Sequence, residues 1–300
     1  MATLTSATLQ VYIYEGLEGS FSEPQYTLFK EKLSFQEDIL FEVSELVRDF
    51  ITHDFNNDYL STVKWVSTVA TLLDENGGEL AGSPVTQSYL TKDGFGDFED
   101  EINPQLSTDL LQSNDIIYLP DNTEGKIPVF AEGVGSVVID GSTTTVADNG
   151  NSNQKIQYLT IPANGTSIIV KDKSNTTIRT LAVKRVCEPK YTPYKVTFVN
   201  KEGAYQDIWF FKRSDERLTV VDTKFKTNTI NETDVTFPTN KPQEQRDNVN
   251  AKKGLVLNTG FLNESFNTVI EQLILSENVW VRYKGRTLPV TVKDRSLDYK

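Results

Sequence analysis

The feature that most constrains the fold is a series of short runs in which apolar and polar residues alternate. A period of two puts the apolar side chains on one face of an extended strand, whereas a helical face repeats about every 3.6 residues. Glycine, asparagine and aspartate separate the runs. The predicted strands are 9–15, 25–30, 39–43, 62–72, 84–90, 115–120, 127–130, 136–139, 157–161, 167–170, 177–183, 194–200, 208–212, 218–221, 223–227, 279–283 and 287–293.

The spacing of these runs indicates a mainly β fold, with β-sandwich-like modules and two short amphipathic helices. We expect strand to exceed helix by at least about twofold, against the usual excess of helix. A chain of 300 residues is long enough for two or three packed units. We predict an N-terminal β-rich domain with one short helix over 1–120, a small β-sandwich-like module over 121–190, and a C-terminal β domain with one helix over 191–300.

Two segments carry helical rather than strand spacing. Ser44 is a candidate cap for a helix over about 44–52, in which Leu46, Val47, Phe50 and Ile51 form the apolar stripe. The second helix is predicted over 264–276, with Asn263 as its cap. Its apolar stripe should pack on the sheet that contains 279–293. The stretch 239–253 is polar, contains Pro242, and is predicted as a loop or flexible arm.

The charge of the chain is −12 and is unevenly placed. Residues 1–100 carry 5 Lys/Arg and 18 Asp/Glu, whereas residues 101–300 carry 25 and 24. A strongly acidic chain is a poor ligand for a phosphate backbone, so we expect no direct sequence-specific nucleic-acid binding. The N-terminus lacks a basic segment followed by an apolar run, and no apolar stretch reaches about 18 residues. We therefore expect a soluble protein without a membrane span, made in the cytoplasm.

Catalytic residues cannot be assembled from the motifs in the sequence. The single cysteine, Cys187, and the single histidine, His53, exclude a disulfide framework and a multi-cysteine zinc site. We interpret Cys187 as a small buried residue and His53 as a polar residue after a helix. Glu132–Ser136 contains only G-x-G and is interpreted as a turn.

Metal and sugar sites are also weakly supported. Asp54, Asn56 and Asp58 have the spacing of the first calcium-loop ligands, but Tyr59 and Trp65 stand where such a loop needs glycine and glutamate. The acidic loop that contains Asp93, Asp97, Glu99, Asp100 and Glu101 is interpreted as solvated. Trp65, Trp209 and Trp280 could line a sugar-binding surface, but each lies in an apolar strand run, which favours packing. We therefore predict no catalytic, cofactor-binding or metal-binding residues and a non-enzymatic protein.

One pattern near the C-terminal third resembles a known family. Phe198, Asn200, Gly203 and Phe210 fit an F-x-N-x-x-G-x-x-x-x-x-x-F pattern that is similar to virion structural proteins of tailed bacteriophages infecting Bacteroidetes-type bacteria. The segments 260–266, 270–281, 288–294 and 9–51 are also similar to these proteins. Together the likeness covers about half of the chain, in pieces, and leaves out 121–190.

The resemblance implies a structural subunit of a virion, made in the host cytoplasm, namely a tail, neck or baseplate component that assembles into a ring or tube. Its expected partners are copies of itself and other virion proteins. The alternative is a carbohydrate- or receptor-binding β module on a virion or cell surface. A hydrolase on a β scaffold ranks last. For assembly, acidic Asp97, Glu99 and Asp100 would face basic residues on a neighbouring copy, with candidates Lys252, Lys253, Arg282, Lys284 and Arg286.

Overall fold

The structure, a computed structural model, describes residues 3–33, 38–96, 99, 110–228, 233, 235–236 and 238–294. Of these residues 46% are in strands and 7% are helical, which confirms the mainly β prediction and the expected excess of strand. The chain divides into two compact units. One comprises Met1–Cys187, Tyr194–Trp209 and Phe261–Lys300, and the other comprises Glu188–Pro193 and Phe210–Gly260.

The first sheet of the larger unit is antiparallel and has the order β2-β1-β3-β4. Its strands are β1 Ser6–Tyr14, β2 Tyr26–Glu31, β3 Lys64–Leu73 and β4 Val85–Thr91. Alternate residues of β1, namely Leu9, Val11 and Ile13, form a buried cluster with Val66 of β3 and with Val47, which lies on the first helix. The alternating apolar side chains of β1 therefore face the core, as predicted.

Two predictions in this region are wrong. Residues 39–43 do not form a strand, although Phe41 and Val43 pack against the core of the first sheet. Helix α1 covers only Ser44–Arg48, and Ser44 is its first helical residue rather than its cap. The hydroxyl of Ser44 donates to the Glu42 carboxylate, and no side chain caps the first turn of this helix.

The middle of the chain forms a sandwich-like pair of sheets around one core. A five-stranded sheet has the order β5-β11-β10-β7-β8 and faces the pair β6-β9. Their inward residues share one buried cluster, to which Ile127, Val137, Ile161 and Leu181 belong. The strands are β5 Ile116–Pro120, β6 Gly125–Phe130, β7 Val134–Ile139, β8 Ser142–Thr145, β9 Ile156–Ile161, β10 Ser167–Asp172 and β11 Thr177–Val186. The sequence did not predict β8, because its four residues are polar and exposed.

The third sheet of the larger unit has the order β13-β12-β16-β17. It contains β12 Tyr194–Val199, β13 Tyr205–Phe210, β16 Val279–Tyr283 and β17 Arg286–Pro289. A 3-10 turn at Glu264–Phe266 precedes helix α2, Asn267–Leu275. Asn263 caps this segment as predicted, because its side-chain oxygen accepts from the backbone N–H of Ser265 at 3.0 Å.

Replacing Leu273 with alanine should lower the free energy of unfolding by about 2–3 kcal/mol, because the side chain is buried on α2 and its loss leaves a cavity. Chemical denaturation followed by circular dichroism measures this loss. Leu275→Ala is the matched control, because Leu275 lies on the same helix and is more than half exposed. Equal losses for the two variants would contradict the assigned buried face of α2.

The smaller unit contains a two-stranded antiparallel ribbon, formed by β14 Asp215–Lys226 and β15 Glu244–Val256. The two predicted strands 218–221 and 223–227 are thus one strand with an irregular register near Asp222. The prediction of a loop or arm over 239–253 is wrong, since most of it belongs to β15. The sequence shows no alternation there because the strand is exposed on both faces and has no core to which one face must turn.

Candidate functional site

The ribbon exposes apolar side chains that an ordinary surface strand would not carry. The side chains of Leu218, Val220, Val221 and Phe225 on β14 and of Val249 on β15 are all exposed, Leu218 by 62%. A two-stranded hairpin is at best marginally stable in water by itself, and clustered exposed apolar residues mark interaction surfaces. The ribbon is therefore the strongest candidate for a functional surface among the described residues.

The two faces of the ribbon differ in chemistry. Residues directly opposite one another in an antiparallel pair lie on the same face. Leu218 lies opposite Lys253, Val220 opposite Ala251, and Glu216 opposite Leu255. We call the side that carries Leu218, Val220, Ala251 and Leu255 the apolar face. On the opposite, polar face Thr219 pairs with Lys252, Val221 with Asn250, and Arg217 with Gly254.

Ion pairs rather than apolar packing connect the far part of the ribbon. Arg246 Nε lies 2.5 Å from Asp222 Oδ2, and Lys224 Nζ lies 3.9 Å from Glu244 Oε2. Near the start of β14, Lys212 Nζ is 2.6 Å from Glu188 Oε2, and this hydrogen bond lowers the pKa of the Glu188 carboxyl. An exposed ion pair such as Lys224 with Glu244 contributes little stability.

His53 is joined to the acidic loop, which the sequence did not predict. Its Nε2 lies 2.9 Å from Asp93 Oδ2, and its side chain is only 2% exposed. Arg48 Nε is 3.5 Å from the other oxygen of Asp93, and its guanidinium also pairs with Glu277 at 3.0 Å. The second ring nitrogen of His53 is buried and has no hydrogen-bond partner among the described residues. No hydroxyl or thiol nucleophile is hydrogen-bonded to His53 there, so the pair lacks the third member of a hydrolytic site.

Acid should weaken this cluster once the Asp93 carboxylate is protonated. Burial raises the pKa of Asp93, but hydrogen bonds from His53 and the Gly94 N–H, with the charges of His53 and Arg48, hold it below 3.8 overall. The carboxylate therefore adds stability above about pH 4, and the contribution is lost as pH falls through the lowered pKa. In urea titrations at a series of pH values, the unfolding free energy of Asp93→Asn should fall less steeply below pH 4 than that of the native chain. The same dependence of unfolding free energy on pH in both chains would contradict the stabilising role of the Asp93 carboxylate.

The acidic residues singled out in the sequence have different surroundings in the part of the chain that the structure describes. Asp54, Asn56 and Asp58 are exposed in the segment after α1. Within the described part of the chain, no group of three or more His, Cys, Asp or Glu residues is placed to hold a metal ion. Of the acidic loop, Asp93 is paired as described and Glu99 is exposed, whereas Asp97, Asp100 and Glu101 lie outside the described residues.

The structure contradicts the prediction for Cys187 and confirms packing for two of the three tryptophans. The prediction that Cys187 is buried is wrong, because it lies one residue beyond the end of β11 and is exposed. Packing of Trp65 and Trp280 is confirmed, since both are 7% exposed. Trp209 is half-buried against the core of the middle sheets. These three indoles therefore do not form an open sugar-binding surface.

The pattern that carries the family resemblance builds a turn between β12 and β13. The side-chain oxygen of Asn200 accepts from the N–H groups of Glu202 and Ala204 at 3.0 and 3.1 Å, and its amide donates to the Leu111 carbonyl at 2.7 Å. Gly203 has φ +74°, in the region that favours glycine. The asparagine and glycine of the pattern are therefore explained by turn geometry.

Two buried charge networks had no signal in the sequence. The ammonium of Lys155, whose side chain is 1% exposed, pairs with Glu132 and lies 2.6 Å from Asp148 Oδ1. Burial lowers the pKa of Lys155, but the hydrogen bonds and charges of these carboxylates raise it more. Lys155 lies in a polar stretch of sequence that is typical of an exposed loop. Only the folded chain brings the carboxylates of Glu132 and Asp148 to its ammonium group.

The second network surrounds the buried carboxylate of Asp207. Tyr59 Oη and Thr197 Oγ1 each donate to it at 2.6 Å, and Lys195 Nζ lies 3.6 Å away. Burial, then the charge of Asp207, raises the pKa of Tyr59. The ring of Tyr59 packs on Phe55 and Tyr158, in a cluster that also contains Tyr205 and Trp280. This closed arrangement supports the fold and offers no open binding face.

The basic residues expected at an assembly contact belong to two different pairs of strands. Lys252 and Lys253 are exposed on β15 of the ribbon, whereas Arg282, Lys284 and Arg286 lie in and around the β16–β17 turn. In the described residues, no helix is both long and apolar enough to span a membrane. Comparisons with models of protein families, with curated proteins and with solved structures found no match.

Proposed function

We propose that the chain is a non-enzymatic structural subunit of a bacteriophage virion, a tail, neck or baseplate component that assembles into a ring or tube with copies of itself and other virion proteins. The observation that carries the proposal is the ribbon, with its exposed Leu218, Val220, Val221 and Phe225. Surfaces of this kind are covered by a partner in assembled proteins. The family resemblance of Phe198–Phe211 and the neighbouring segments supports the virion part.

The charge distribution supports self-assembly by unlike surfaces. Residues 1–100 carry a strong acidic excess, and the ribbon brings exposed cations such as Lys252 and Lys253. A closed ring or stacked tube uses heterologous contacts, in which each copy presents two different surfaces. The carbohydrate-binding alternative loses support because Trp65 and Trp280 are packed rather than exposed.

The purified chain should form rings or tubes in negative-stain images and should scatter light as an oligomer. Association should slow at high salt without vanishing, because exposed charges steer the encounter while apolar contacts supply most of the affinity. Replacing Leu218 and Val220 with serine should abolish assembly, whereas Thr219→Ser on the polar face is the matched control. The far-ultraviolet circular dichroism of the variants should stay that of the native chain.

A strict monomer at high concentration in every salt condition contradicts self-assembly. The virion part is tested separately, by mass spectrometry of particles purified from a producing culture. The chain should be present at a copy number in keeping with a ring or tube. Particles that lack the chain would contradict a virion role.

A further inference from the structure

The ammonium group of Lys195 lies between an exposed amide and a buried carboxylate. Its Nζ donates to the side-chain oxygen of Asn57 at 2.9 Å and to the hydroxyl of Tyr59 at 2.8 Å. The third neighbour is Asp207, whose Oδ2 lies 3.6 Å from Nζ. Transfer of an acyl group from an amide to an amine needs an amine, an amide carbonyl and a proton acceptor. The folded chain brings all of these groups together.

The ammonium and the carboxylate are largely removed from water. The side chains of Lys195 and Asp207 are 15% and 9% exposed. Beside them lie the buried aromatic residues Phe55, Tyr205 and Trp280. Taking two charges out of water is costly, and one proton passed from the ammonium to the carboxylate removes both charges. The transfer leaves an amine with a free lone pair, which is the nucleophilic form of lysine.

Tyr59 provides a path for that proton. Its hydroxyl accepts from Nζ of Lys195 and donates to Oδ2 of Asp207 at 2.6 Å. Burial, and then the charge of Asp207, raises the pKa of Tyr59, so the hydroxyl stays protonated and can accept one proton while it releases another. The hydroxyl of Thr197 donates to Oδ1 of Asp207 at 2.6 Å. The proton acceptor is therefore held in place beside the amine.

The side-chain amide of Asn57 is accessible to the amine and to solvent. Its oxygen already accepts from Nζ, and the residue is exposed, so the amide can turn its carbonyl carbon toward the amine. A near-attack arrangement needs the reacting atoms about 3–3.5 Å apart, which a hydrogen-bonded pair approaches. Exposure also lets released ammonia leave to solvent, so the products separate.

We propose that Nζ of Lys195 forms an amide bond with Cγ of Asn57, a covalent cross-link within the chain. The lone pair of Nζ attacks Cγ, and the bond from Cγ to Nδ2 breaks. One proton of the original ammonium stays on the new amide nitrogen, and two pass by way of Asp207 to the leaving group, which departs as an ammonium ion. The hydrogen-bonded pair in the structure is the reactant of this step. The linked residues are 138 apart in the chain, so the bond ties the segment after α1 to β12. This modification is independent of the proposed assembly.

Mass spectrometry of the folded native chain tests the cross-link. The intact mass should lie about 17 Da, the mass of ammonia, below that of the sequence. Trypsin should release a peptide that contains Asn57 joined to one that contains Lys195 and is uncut there. Lys171 and Asn175 are the internal control, because they form the same hydrogen bond, at 3.2 Å, at an exposed position. That pair should stay unlinked.

Substitutions assign the roles. Asn57→Ser and Lys195→Arg each remove one reactant and should keep the full mass of their sequences. Asp207→Asn removes the proton acceptor and should slow linking by about 100-fold or more, as loss of general-base catalysis does. Linking at the native rate in folded Asp207→Asn overturns the role of this carboxylate. A folded native chain of full mass without the joined peptide overturns the cross-link, as does a mass loss that persists in Asn57→Ser.

Discussion

Replacing Gly203 with alanine is expected to lower the free energy of unfolding by about 3 kcal/mol or more. A Cβ at this position would lie 1.9 Å from the backbone oxygen of Asp93, and φ is +74°. The left-handed conformation alone costs about 1–2 kcal/mol, and overpacking adds about 1–3 kcal/mol. Asp93 cannot shift freely, because its side chain is held by His53 and the N–H of Phe95 is bonded to the Lys201 carbonyl at 3.1 Å.

Gly141→Ala is the matched control for this variant. Gly141 also has a positive φ, +86°, but a Cβ there meets nothing within 4 Å. The control should therefore lose only the conformational part, about 1 kcal/mol. Urea denaturation of the two variants separates strain from steric clash. Equal losses would show that Asp93 does not approach Gly203 as closely as described.

Removal of the Asp207 carboxylate is expected to cost about 3–5 kcal/mol, measured by chemical denaturation. In Asp207→Ala the hydroxyls of Tyr59 and Thr197 lose their acceptor, and the ammonium of Lys195 loses its counter-charge in a largely buried site. Asp207→Asn should lose less, because the amide keeps one acceptor oxygen. Asp222→Ala, in an ion pair on the ribbon, should cost no more than about 1 kcal/mol.

A small loss in Asp207→Ala, comparable to that in Asp222→Ala, would contradict the assignment of a structural network. The tyrosines provide an independent measurement. Burial, and then the charge of Asp54, raises the pKa of Tyr205 to about 12. Spectrophotometric titration should therefore show buried tyrosines of this cluster ionising only at strongly alkaline pH, and earlier once the network is broken.

The strands that pack a core were predictable, because burial imposes alternation. In β11, Leu181 and Val183 face the core while Ala182 and Lys184 are exposed, as the period of two requires. The ends of elements were less well predicted. The second helical segment was placed correctly and Asn263 caps the 3-10 turn that begins it, but α1 stops at Arg48, and β17 stops at Pro289. Capping and pairing partners decide such ends, and they are not visible in a periodic pattern.

The candidate surface was the least predictable part. The ribbon strand β15 has exposed residues at ten successive positions from Glu244, so no apolar period marks it as a strand. Its pairing with β14 comes from backbone hydrogen bonds and from pairs such as Asp222 with Arg246. The sequence singled out Lys252 and Lys253 as charged candidates, but it did not predict the exposed strand that carries them.

The sequence by itself determined the mainly β class, the Asn263 cap of the turn that leads into α2, and the burial of Trp65 and Trp280, since these follow from local sequence and from the apolar character of each run. Tertiary structure alone decided that His53 meets Asp93, that Asp148 and Glu132 surround Lys155, and that the Asp207 carboxylate accepts from Tyr59 and Thr197 beside the charge of Lys195. These groups are up to 148 residues apart in the chain. No local pattern encodes such contacts, because they exist only once the apolar strands have packed and brought distant polar groups into one low-dielectric place.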